Sequence, residues 1–100
     1  MKEKIFEGKI RRWLESEGCY CFKLWGGGLQ KAGIPDLIIC VNGYFVAVEV
    51  KGDAGKPSKL QLHQIEQIKK AKGVAMILYP DDFEKFKSII LEFTSLQVLK

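Results

Sequence analysis

One hundred residues, 47% of them hydrophobic and 11% aromatic, suffice to bury one compact core without metal or disulfide staples, so residues 1–100 read as a single domain. Sixteen Lys and Arg against twelve Asp and Glu leave a net charge of +4, a mild bias toward a polyanionic partner. Cys19, Cys21 and Cys40 form no CxxC pair, which argues against a disulfide framework or a Cys-rich zinc site and suggests reduced, mostly buried thiols.

The opening MKEKIFEGKIRRWLESEG interleaves charges with apolar residues, unlike a signal peptide or membrane span, and a cytoplasmic, intracellular protein is expected. Phe6, Ile10, Trp13 and Leu14 recur at helical spacing over residues 3–16, with Gly18 placed to end the helix. CYCFKLW then reads as a strand running into Gly26-Gly27-Gly28, a stretch suited to a mobile loop, and residues 25–35 as irregular. DLIICV and YFVAVEVK flank Asn42-Gly43, the dipeptide of a tight antiparallel hairpin. Residues Ser58 to Lys72 form a helix that starts after Pro57 and stops at Gly73, VAMILY is a buried strand, and Asp81-Asp82 are placed to cap a last helix, FEKFKSIILEF. The tail TSLQVLK suits an edge strand or a frayed end. The order is α-β-β-β-α-β-α, an α/β fold with a mixed central sheet flanked by helices.

A two-residue turn at Asn42-Gly43 sets Val41 opposite Tyr44 and, counting back along both strands, Asp36 opposite Glu49. Carboxylates so placed stand about 4.5–5.5 Å apart at Cβ and repel, so something must compensate. Alternation puts Phe45, Ala47, Glu49 and Lys51 on one face, which turns from apolar to charged at the end where Asp36 stands. Two hard oxygen donors with an ammonium beside them suit Mg²⁺ or Mn²⁺ and hydrolysis of a phosphate ester; the plainer alternative is a turn at Pro35-Asp36 and a solvated strand end. Glu7 lies about 20° from Leu14 on the helical wheel and so points toward the core, either as a site acid or as an edge residue reaching for water. Gln61 has two readings as well, a site residue or simply the partner of Ser58 in a capping box; Gln64, one turn on, has less claim.

GIPD at 33–36, EVK at 49–51 and the Gln-bearing helix together resemble the PD-(D/E)XK nuclease superfamily, with its restriction-endonuclease-like core, and within it the VRR-NUC branch. The likeness runs from Glu7 through GGGLQKAGIPDLIICVNGYFVAVEVKG and KPSKLQLHQIEQIKKAKG to VAMILY. It implies a metal-dependent endonuclease in which Asp36, Glu49 and the main-chain carbonyl of Val50 hold Mg²⁺ or Mn²⁺, Lys51 positions the attacking water, Glu7 is the helix-one acid and a further candidate ligand, and Gln61 is the helix glutamine. Minimal stand-alone members resemble virus-type resolvases that act as homodimers on branched DNA, including Holliday junctions. The competing readings are a non-catalytic DNA-binding or assembly module with a nuclease fold, and a restriction-type nuclease.

Backbone contacts to DNA are expected from Arg11, Arg12, Lys23, Lys31, Lys56 and Lys59, although exposed lysine is commonly just a solubility charge. Trp25 suits either base stacking or, as the more ordinary fate, burial. His63, the single histidine, reads as an exposed helix residue.

Overall fold

A computed structural model describes residues 1–25 and 32–96. Its order is α1 (Glu3–Ser16), β1 (Tyr20–Lys23), β2 (Leu37–Val41), β3 (Tyr44–Val50), α2 (Lys59–Lys70), β4 (Val74–Leu78), a 3-10 turn (Pro80–Asp82) and α3 (Phe83–Ser95). Gly26, Gly27, Gly28, Lys31 and the last four residues, Gln97 to Lys100, lie outside the described residues, and with them the glycine loop and the end of the expected tail. Thr94 and Ser95 extend α3 instead of beginning an edge strand.

The four strands lie side by side in chain order; β1, β2 and β3 pair antiparallel, while β3 and β4 pair parallel across the α2 crossover. Parallel neighbours need such a crossover, whereas β2 and β3 are joined by the Asn42-Gly43 turn, both of whose residues have positive φ. Pairing from Val41 opposite Tyr44 to Leu37 opposite Val48 is the register the turn dictates.

Period-two alternation splits the strands between two packing layers. Leu37, Ile39, Val41, Val46, Val48 and Val50 meet Phe6, Ile10 and Leu14 of α1 and Phe86 and Ile90 of α3, all nearly or wholly buried. Side chains of this kind contribute roughly 1.5–3 kcal/mol each on burial, which makes this layer the main core. On the other face Ala47 and Ala75 are small enough for α2 to approach through Ile65, with Ile38, Ile68 and Ile77 at its margin. Glu49 follows Ala47 on this face, so the sheet delivers it toward α2.

Two expectations need correction. Asp81 and Asp82 do not cap α3 by side-chain hydrogen bonds; Pro80 nucleates a 3-10 turn that feeds the helix directly. Of the three free cysteines only Cys19 is buried: Cys21 is half-buried at the margin of the main core, and Cys40 is exposed because α2 covers β3 and β4 and leaves the β1–β2 side of its face open.

Candidate active site

Asp36 stands one residue before β2, gripped by backbone on both sides. Its carbonyl accepts from the Leu24 N–H at 2.7 Å, and its Oδ2 accepts from the Val50 N–H at 2.8 Å. The ladder ends at Leu37 and Val48, and the expected Asp36–Glu49 neighbourhood arises one step beyond it.

Glu49 is 3% exposed. Its Oε2 accepts from Gln61 Nε2 at 3.0 Å and lies 3.5 Å from Lys51 Nζ. Its Oε1 is buried without a hydrogen-bond partner among the described residues. Burial, then the charge of the neighbouring Asp36 carboxylate, push the Glu49 carboxyl up to about 8; Lys51 opposes this without overcoming it. An orphaned acceptor of this kind costs about 1–3 kcal/mol, so the pair is poised for a cation or a proton. Two carboxylates also form the hard-oxygen donor set that Mg²⁺ and Mn²⁺ favour, with remaining positions open to main chain, water and substrate phosphate. Among the described residues no group of three His, Cys, Asp or Glu side chains is placed to hold a metal, so a divalent ion would have to rely on the pair.

Lys51 is held on its stem as well as at its tip. A Cβ on Gly55 would stand 3.2 Å from Lys51 Cδ, so the side chain lies along the turn that follows β3. Gln61 performs both tasks that its sequence position left open: Ser58 N–H donates to its Oε1 at 2.8 Å, completing the capping box, while its amide nitrogen reaches Glu49. Asp36, Glu49, Lys51 and Gln61 are therefore brought together.

Glu7 is not joined to them by any hydrogen bond or ion pair among the described residues. It comes to the sheet from the α1 side, 7% exposed, and both its oxygens accept from Lys23 Nζ, at 2.9 and 2.8 Å. Lys23, expected at the DNA surface, thus has its charge engaged within the fold, and its ammonium also stands 4.7 Å from the centre of the Trp25 ring. Alternation along β1 carried the signal for that pairing, since it puts Lys23 on the same face as half-buried Cys21. The more ordinary expectation for Trp25 fails: it is 73% exposed. Arg12, Lys56, Lys59 and His63 are exposed and Arg11 half-buried.

A model of the archaeal Holliday junction resolvase (Hjc) family matches residues 1–97. The chain belongs to that family. The resolvase is thereby a member of the PD-(D/E)XK superfamily and a structure-selective, metal-dependent nuclease whose substrate class is the four-way DNA junction. Its mixed four-stranded sheet and three helices are consistent with the nuclease fold. Searches of curated proteins and of solved structures each found no match. No helix among the described residues is long and apolar enough to cross a membrane.

Proposed function

We propose that the resolvase cuts junction DNA at the Asp36–Glu49 pair with Mg²⁺ or Mn²⁺ as cofactor, one 1–100 domain per site and two chains per junction, inside the cell. The observation that carries this reading is the buried Oε1 of Glu49, without a hydrogen-bond partner among the described residues, beside the Asp36 carboxylate. A divalent ion bound there supplies electrostatic stabilisation of the charge that builds on the phosphate. The chain's own groups do the rest. Asp36 is oriented by Leu24 and Val50, so its carboxylate needs little reorganisation to serve as a ligand. The Val50 carbonyl completes the protein's contribution: N–H and C=O of one strand residue leave on the same side, and the Val50 N–H already faces Asp36. Lys51 holds a positive charge near Glu49 and positions the attacking water. Gln61 fixes the second oxygen of Glu49, leaving Oε1 as its free donor. Glu7, engaged by Lys23, acts from the α1 side as an auxiliary acid. The VRR-NUC likeness of GIPD and EVKG is then a kinship of site chemistry within the superfamily.

A homodimer follows from the substrate, since resolving a junction takes two cuts and each chain has one such site. An open strip on the α2 face supports it: Tyr20, Phe22, Cys40 and Phe45 are exposed on neighbouring strands, with the Tyr20 and Phe22 rings 5.9 Å apart. Arg11, Arg12, Lys31, Lys56 and Lys59 are the proposed backbone contacts to DNA, with affinity falling as salt rises.

The test is cleavage of a four-way junction, a flap and a linear duplex with Mn²⁺, Mg²⁺ or EDTA. Selective junction cutting that needs the metal, and that falls at least about 100-fold in Asp36→Asn, Glu49→Gln and Lys51→Ala while junction binding persists, supports the reading. An active Asp36→Asn enzyme would remove the site assignment. Cutting of linear duplex at one sequence would favour a restriction-type nuclease, and binding of the junction without any cutting a non-catalytic assembly module.

A further inference from the structure

Three of the residues brought together in the site come from separate stretches of chain: Asp36 from the turn before β2, Glu49 from β3 and Gln61 from the first turn of α2. Two contacts already described tie β3 to the others, Gln61 to Glu49 and Val50 to Asp36. A third joins the turn to α2 directly. Gly33 has φ +78, and a Cβ there would stand 2.6 Å from the Leu60 carbonyl carbon, 2.7 Å from its oxygen and 2.8 Å from the Gln61 nitrogen. These are helix backbone atoms, which cannot swing aside as a side-chain tip could. One turn further along α2, Gln64 Nε2 donates to the Ala32 carbonyl at 3.3 Å, holding the same turn from its other end.

The link from Gly33 to Asp36 is short and stiff. Pro35 is buried and fixes its own φ, and it also restricts Ile34 before it, so a displacement at Gly33 passes along the chain to Asp36 with little absorbed between. The contacts close a ring, from the turn to α2, from α2 through Gln61 to Glu49, and from Val50 back to Asp36. Loosening one side of such a ring alters the separation of the two carboxylates without removing either.

We propose that Gly33 and Gln64 are positioning residues of the resolvase: the close approach of Gly33 to α2 and the Gln64–Ala32 hydrogen bond set Asp36 at its working distance from Glu49. The proposal rests on the metal-site reading above only for its catalytic consequence. The docking itself is independent of any ion.

Gln64→Met keeps side-chain bulk and helix propensity but has no donor for Ala32. Gly33→Ala forces the turn and α2 apart; should it fail to fold, Gln64→Met carries the test. The first measurement is amide hydrogen exchange in EDTA, reading the Val50 N–H that Asp36 accepts. The second is the Mn²⁺ concentration for half-maximal junction cleavage, and the third is Mn²⁺ calorimetry. In Gln64→Met the Val50 amide should exchange at least about 10-fold faster while the strand amides of Val46 and Val48 keep their protection, and half-saturation by Mn²⁺ should rise by about 10-fold with junction binding in EDTA unchanged, the scale of losing a contact that orients a ligand. Unchanged exchange at Val50 would overturn the proposal, as would acceleration spread evenly over the whole sheet, which marks a merely structural role. If the wild-type resolvase takes up no Mn²⁺, the metal-site reading falls while exchange at Val50 still decides the docking.

Discussion

The amide of Gln61 has its oxygen on the Ser58 N–H at 2.8 Å and its nitrogen on Glu49 Oε2 at 3.0 Å, so helix capping and site geometry pass through one side chain. The two roles separate by substitution. Ser58→Ala removes the cap and should cost about 0.5–2 kcal/mol in denaturant unfolding while leaving cleavage largely intact. Gln61→Glu retains an acceptor for Ser58 but turns a carboxylate toward Glu49, and cleavage should fall by about 10–100-fold with the helix start preserved. Wild-type turnover by Gln61→Glu would show the Glu49 contact to be idle. Glu49 itself makes stability depend on pH in the metal-free protein. Its carboxyl is pushed up to about 8 from an ordinary 4.5, so between those values the folded chain holds a proton that the unfolded chain has released. The contribution is fully present below about pH 4.5, declines as pH rises and is lost above about 8. In EDTA the melting temperature of the wild type should therefore fall relative to that of Glu49→Gln between pH 5 and pH 8.5, with both spectra reporting the same fold. A gap that does not change with pH would contradict the burial of Glu49 beside Asp36.

Among the elements, α2 ends in an unusual way. The left-handed residue after the helix is Lys72, at φ +73, and not the glycine beside it. Gly73 is instead required by space, because a Cβ there would stand 2.8 Å from Ile68 Cγ2 and 3.2 Å from the Phe45 ring. Glycine adopts the left-handed conformation without the Cβ penalty, so Lys72→Gly should stabilise the resolvase by about 0.5–1 kcal/mol, measurable as a higher denaturation midpoint at unchanged slope. A loss of stability would mean that the Lys72 side chain contributes more than its backbone strain costs. The β2–β3 hairpin has a second role that its turn signal did not announce. Asn42 Nδ2 donates to the Phe93 carbonyl at 3.0 Å and also to that of Leu96, and Tyr44 packs its ring 4.8 Å from that of Phe93, so the turn that sets the strand register also closes the end of α3.

At the scale of the molecule, among the described residues one face of the sheet is covered by α1 and α3 and the other only in part by α2. The uncovered strip of Tyr20, Phe22, Cys40 and Phe45 lies on the face that also carries Glu49, so pairing of two copies there would fix the separation of two cutting sites. Sedimentation equilibrium should give twice the chain mass for the wild type and the single mass for Phe22→Glu, with paired cutting of a junction reduced to single nicks. A monomeric wild type that still cuts both strands would rule this arrangement out. On the opposite face burial, the largest influence there, pushes the Cys21 thiol up to about 11, and burial likewise raises Cys19.

Much of the site was legible because its causes are local. The Asn-Gly turn dictates the pairing of β2 with β3, and alternation from that turn fixes which residues share a face, so Asp36 and Glu49 become neighbours without reference to any helix. The helical stripe of α1 likewise turned Glu7 inward, and Ser58 with Gln61 announced the start of α2. What the sequence left undecided are the contacts between elements. The reach of Gln61 to Glu49, the approach of Gly33 to α2 and the exposure of Trp25 each depend on how helices settle against the sheet, a matter of packing many side chains at once that no turn or repeat period encodes.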